Sequence, residues 1–145
     1  MYEILLVEDN PDDIDLTLRA FRKGNVANEV VVARDGVEAL DYLFATGSHA
    51  DRDADALPKV ILLDLNLPRL DGLQVLERVR AHHKTKLLPV VILTSSIEDS
   101  DLVKTYTLGA NSYVRKPIDS QEFDDTVQQL DLYWLSLNRP APPPT

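Results

Sequence analysis

The chain has no cysteine, which excludes a disulfide framework and any thiolate metal centre and leaves the compartment unreadable from redox chemistry. Positive charge is also scarce: 15 lysines and arginines stand against 24 aspartates and glutamates, a formal charge of −9. That is the wrong sign for gripping a phosphate backbone, so direct nucleic-acid binding is not expected. No apolar run approaches the roughly 20 residues that span a bilayer, so no membrane segment is expected. The opening MYEILLVEDNP has no basic stretch before its apolar run and meets carboxylates at once, unlike a secretory leader. The expected location is therefore the cytoplasm. No internal repeat or second domain stands out. What remains is ordinary in bulk: 145 residues, 44% hydrophobic and 27% charged, which suits one folded domain with a substantial core. We expect that domain to span residues 1–137, with a proline-rich tail over 138–145.

Short apolar runs punctuate the chain. Ile4 to Val7, Val30 to Ala33, Val60 to Leu63 and Val90 to Leu93 are nearly continuous, as strands buried on both faces of a parallel sheet are. A thinner run, Ser112 to Val114, predicts an edge strand before Lys116 and Pro117. Helical periodicity fills the gaps. Asn10 caps a helix with Pro11 at its first position, and Ile14, Leu18 and Phe21 share one face until Lys23 and Gly24. A second helix opens at Asp35-Gly36, and a third follows Asp71-Gly72 through Leu73, Leu76 and Val79. Ser96 with Asp99 predicts a capping box for a fourth helix ending at Gly109, and Asp119 with Glu122 predicts another for a fifth. Residues 47–58, GSHADRDADALP, predict a polar loop without regular structure. The alternating order predicts an α/β fold: a doubly wound, five-stranded parallel sheet, (βα)5 and flavodoxin-like.

Ligands of such sheets sit beyond the carboxyl ends of the strands, so the polar residues there are the candidates. Glu8 and Asp9 follow the first strand, Asp64 the third, Thr94 the fourth and Lys116 the fifth. Three carboxylates on one rim repel one another unless a cation sits among them. Mg²⁺ suits such a set, because it accepts one or two carboxylates and takes its remaining ligands from water and phosphoryl oxygens. Asp64, ending a central strand between Leu63 and Leu65, is the better nucleophile, and Glu8 and Asp9 the better metal ligands, with the Asn66 carbonyl able to complete the shell. Lys116 offers a point charge to transferred phosphoryl oxygens and Thr94 a hydrogen bond. The expected product is an acyl phosphate on Asp64.

VEDN, LLDLNLPRLDG, LTSS and YVRKP occur in that order across nearly the whole chain, and together they resemble response-regulator receiver domains. The resemblance implies a stand-alone two-component receiver that takes its phosphoryl group from the phosphohistidine of a histidine kinase. It implies Asp64 as phosphoacceptor, Glu8 and Asp9 on Mg²⁺, Thr94 as switch hydroxyl, Lys116 as phosphoryl contact and Tyr113 as an aromatic rotamer switch. It also implies a cis peptide before Pro117. Ser95 departs from the smaller residue often found beside the switch hydroxyl. The 47–58 loop and the ending DLYWLSLNRP narrow the resemblance to single-domain regulators of bacterial phytochrome kinases, so a bacteriophytochrome is an expected partner.

Other readings fit less well. A haloacid-dehalogenase-type phosphatase also joins an aspartate nucleophile to Mg²⁺, but its Asp-x-Asp follows the first strand, whereas Asp64-Leu65-Asn66 lacks the second acid and follows the third. A pseudo-receiver binding module would not need the full set, and a nucleotide-binding relative would need glycines where EDNPDD stands. The expectation is a signalling domain that catalyses only its own phosphorylation and slow dephosphorylation. Asp12 and Asp13 are accounted for by the helix dipole, Asp71 by its turn, and His82-His83 by a solvated helix end. In the last helix Phe123, Val127, Leu130, Trp134 and Leu137 form one stripe toward the sheet. Leu132, Tyr133 and Leu135 fall off it and, with Trp134, predict the interface of a two-fold homodimer, the arm from Asn138 reaching the partner.

Overall fold

The computed structural model describes residues 3–24 and 30–142. The last three residues of the expected tail, 143–145, lie outside them. Five strands, β1 (Ile4–Val7), β2 (Val30–Ala33), β3 (Val60–Leu63), β4 (Val90–Thr94) and β5 (Ser112–Arg115), alternate with α1 (Pro11–Lys23), α2 (Gly36–Phe44), α3 (Gly72–Ala81), α4 (Asp99–Thr107) and α5 (Ser120–Asp131). The strands form one parallel sheet in the order β2-β1-β3-β4-β5, so β5 is an edge, as expected.

Successive side chains of a strand point to opposite faces, and the core divides accordingly. Leu5, Val7, Ile61, Leu63 and Ile92 pack with Ala39, Leu43, Val75 and Leu76 of α2 and α3. On the other face Ile4, Leu6, Leu62, Val91 and Leu93 pack with Ala20 and Phe21 of α1 and Phe123 and Val127 of α5. Burial on both faces is why the runs needed no polar alternation. Each fully buried aliphatic or aromatic side chain contributes about 1.5–3 kcal/mol.

The helix starts follow their caps. Asn10 accepts from the Asp12 and Asp13 N–H groups, Asp71 and Gln74 form a reciprocal capping box, and Asp119 accepts from the Gln121 and Glu122 N–H groups without the return bond from the Glu122 side chain that the expected capping box would have. The fourth helix differs from expectation. Its cap residue is Glu98, without a side-chain cap bond. The Ser96 hydroxyl instead donates to Asp101 Oδ2 at 2.6 Å and accepts from the Glu98 N–H at 3.3 Å, a local turn that delays the helix by competing for its first backbone donors.

Three further expectations are corrected. The Lys116–Pro117 peptide is trans, as are all peptides among the described residues, in line with the trans preference that X–Pro bonds keep. The 47–58 loop contains a 3₁₀ turn, Gly47–His49. Arg52 pins this loop to α2 by donating to the carbonyls of Tyr42 and Ala56, its guanidinium 4.0 Å over the Tyr42 ring. Finally, α5 stops at Asp131 and the chain continues as a π-helical stretch, Leu132–Leu137, closed by Asn138 N–H to the Tyr133 carbonyl at 2.6 Å. The wider turn breaks the expected stripe. Leu135 swings inward with Trp134, both half-buried against the α1–α5 side of the core, while Leu137 is left exposed.

Candidate functional site

Val7 and Leu63 are register partners at the carboxyl ends of β1 and β3, so the residues that follow them, Glu8 and Asp64, emerge side by side. The chain runs from β1 to β2 on one side and to β3 on the other, making this the topological switch point of the sheet. Glu8 and Asp64 are buried and Asp9 is exposed. Each of the three offers one carboxylate oxygen, and these oxygens lie within 4.8 Å of one another. Hard oxygen donors at that spacing fit a divalent cation such as Mg²⁺.

Backbone and loop geometry hold the set. Glu8 Oε2 accepts from the Asp9 and Asn10 N–H groups at 3.1 and 3.2 Å. The Asp64 N–H donates to the Val7 carbonyl at 3.0 Å, and Asp64 Oδ1 faces the Asn66 N–H at 3.4 Å. The loop after Asp64 closes where the Gly72 N–H meets the Leu65 carbonyl at 2.9 Å. Only glycine fits there, because a Cβ on residue 72 would stand 2.2 Å from the Asp64 carbonyl oxygen.

Lys116 enters from the end of β5 with its side chain 7% exposed. Its ammonium donates to Glu8 Oε1, to Asp13 Oδ2 at 2.9 Å and to Asp64 Oδ2 at 3.2 Å. Burial pushes the Glu8 carboxyl up to about 7, Asp64's charge adding to the rise while the Lys116 bond, the Lys116 charge and the Asn10 N–H oppose it. Burial would lower the Lys116 ammonium, but hydrogen bonds to Glu8 and Asp13 and the charge of Asp64 outweigh it and hold Lys116 above its ordinary value. Lys116 is thus a permanent cation facing an excess of carboxylate.

The structure brings Glu8, Asp9, Asp64 and Lys116 together as expected. Thr94 is fully buried at the end of β4, and its Oγ1 accepts from the Ser96 N–H at 3.3 Å rather than touching a carboxylate. Its carbonyl accepts from the Lys116 N–H at 2.7 Å, tying the end of β4 to the backbone that carries the lysine. Tyr113 packs against the α2–α3 side of the core with its hydroxyl buried and without a hydrogen-bond partner. Asp13 belongs to the site and was missed. Its one signal was position: it follows Asp9 by four residues in the first turn of a helix that starts on the rim.

Residues 4–128 match the model of the response regulator receiver domain family. The chain belongs to that family. A receiver takes a phosphoryl group from a kinase, and this one stands among two-component relatives. It is 39% identical to the probable methanogenesis regulatory protein FilR2 of Methanothrix harundinacea, over 97% of this chain and 88% of that one. The structure of the phosphorylated cyanobacterial phytochrome response regulator RcpA superposes with a TM-score of 0.87 at 38% identity, covering 100% of both chains. The Mn²⁺-bound form of the response regulator Rcp1, a Synechocystis protein, gives a TM-score of 0.87 at 32% identity, covering 96% of the receiver and 98% of Rcp1. The receiver fold expected from the four motifs is the fold observed. Among the described residues no helix is long and apolar enough to cross a membrane.

Proposed function

We propose that Asp64 is the phosphoacceptor and that Glu8, Asp9, Asp64 and the Asn66 carbonyl hold Mg²⁺. The observation that carries this reading is the meeting of three carboxylates with one buried lysine at the carboxyl ends of β1, β3 and β5. One Asp64 oxygen attacks phosphorus in line while the phosphorus–nitrogen bond to the kinase histidine breaks, the imidazole nitrogen keeping the electron pair. When bound, Mg²⁺ supplies neutralising charge to the phosphoryl oxygens. Lys116 exchanges its Asp64 bond for a phosphoryl oxygen. Thr94, whose hydroxyl accepts from the Ser96 N–H and keeps its own proton, donates to another oxygen. Tyr113 follows as a rotamer switch, a role supported by a hydroxyl that loses no hydrogen bond on leaving. The domain thereby catalyses its own phosphorylation, and its slow loss, in the cytoplasm.

Likeness to RcpA supports a phytochrome-type histidine kinase as the donor. The receiver is assigned to residues 1–137 and the tail to 138–145. Exposed Leu132, Tyr133 and Leu137, beside half-buried Trp134 and Leu135, support a homodimer through this face. The test is label transfer from phosphorylated candidate kinases, a phytochrome among them. Label is expected on the wild type and none on Asp64→Asn, which keeps the fold. Labelling of that variant at the wild-type rate overturns the reading.

A further inference from the structure

We infer that Asp13 is a positioning residue of this site: it draws the Lys116 ammonium toward the start of α1 and so keeps oxygens of Glu8 and Asp64 available to a divalent cation. The inference rests on the metal reading above. A lysine ammonium has three donors, and each here finds a carboxylate: Glu8, Asp13 at 2.9 Å and Asp64 at 3.2 Å. Glu8 and Asp64 also belong to the set that could hold a metal, so lysine and cation draw on the same two carboxylates. Asp13 is outside that set and serves only the lysine.

Its placement is fixed on two sides. The Asp13 N–H donates to the Asn10 side chain at 3.2 Å, and its carbonyl accepts from the Thr17 hydroxyl at 2.7 Å. A helix-dipole role alone would not select it, since Asp12 shares the first turn and makes no ion pair among the described residues. Without Asp13 the flexible lysine would turn its third donor onto Glu8 or Asp64 and tighten its hold there. With Asp13, one donor stays anchored while another passes from Asp64 to a phosphoryl oxygen.

The test is a double-mutant cycle on Mg²⁺ affinity, read by titration calorimetry on the full chain at fixed ionic strength. Wild type, Asp13→Asn, Lys116→Met and the double variant are compared. Asp13→Asn keeps the size and helix position of the residue, and melting without Mg²⁺ verifies that it folds. With Lys116 present, Asp13→Asn is expected to weaken Mg²⁺ binding by about three- to tenfold, the size of coupling usual between contacting charged groups. With Met at 116 the weakening should be clearly smaller. Equal weakening in both backgrounds, or none in either, overturns the role of Asp13 while leaving the metal reading intact. A wild type that binds no Mg²⁺ overturns both.

Discussion

Burial pushes the Glu8 carboxyl up to about 7 from an ordinary 4.5, so the folded protein binds this proton more tightly than the unfolded chain does. The stability this proton contributes is complete below 4.5 and is lost as pH rises through about 7. A metal needs the ionised form, so with Glu8 as a ligand proton and Mg²⁺ would compete. Affinity for Mg²⁺ should therefore fall as pH is lowered through that value, and binding near it should release a proton. Calorimetry in buffers of different ionisation enthalpy measures both, and a pH-independent affinity with no proton release counts against Glu8 as a ligand. Lys116 gives the complementary test. Lys116→Ala removes a competitor for Glu8 and Asp64, so Mg²⁺ should bind at least as tightly as in the wild type, while phosphorylation no longer changes shape or assembly. Lost metal binding with a preserved response would reverse the assignment. Asp64, Glu8 and Asp9 were legible in the sequence because strand ends are legible. Asp13 was not, because an acid in the first turn of a helix is ordinary until a lysine 103 residues away is seen against it.

At the scale of elements, the loop between β3 and α3 sets where Asp64 stands. Gly72→Ala would place a methyl 2.2 Å from the Asp64 carbonyl oxygen and 2.7 Å from Leu65 Cα. Both neighbours are backbone, so the loop must move. The expected cost is about 1–3 kcal/mol, as for other overpacked sites, with slower phosphoryl uptake. Urea unfolding and label transfer read the two effects, and an unchanged rate would show that the loop does not position Asp64. The Asp71-Gly72 pair, read from sequence as a simple turn, thus acquires a task. Arg80 performs a similar one further away. Its guanidinium donates to the carbonyls of Gly109, Lys86 and Leu88 and to Asn111 Oδ1 at 2.8–3.1 Å, tying α3 to the segments before β4 and β5.

For the whole molecule, assembly turns on the last segment. The π-helical turn leaves Leu132, Tyr133 and Leu137 at 56%, 48% and 62% exposure, an apolar and aromatic surface that a second copy would cover. Light scattering should give a dimer for the full chain and a monomer for Leu132→Asp combined with Tyr133→Asp. A monomeric full chain, with or without an acyl-phosphate mimic, would remove the dimer. The sequence by itself determined the element order, the parallel sheet and the rim residues. A strand covered on both faces must be continuously apolar, and right-handed crossovers leave little choice of topology. Tertiary structure alone decided which first-turn acid meets Lys116, that Leu135 turns in while Leu137 turns out, and that Ser96 bonds Asp101 instead of capping α4. Each depends on partners brought close by packing, or on a helix switching its hydrogen-bond step, and the local residue pattern encodes neither.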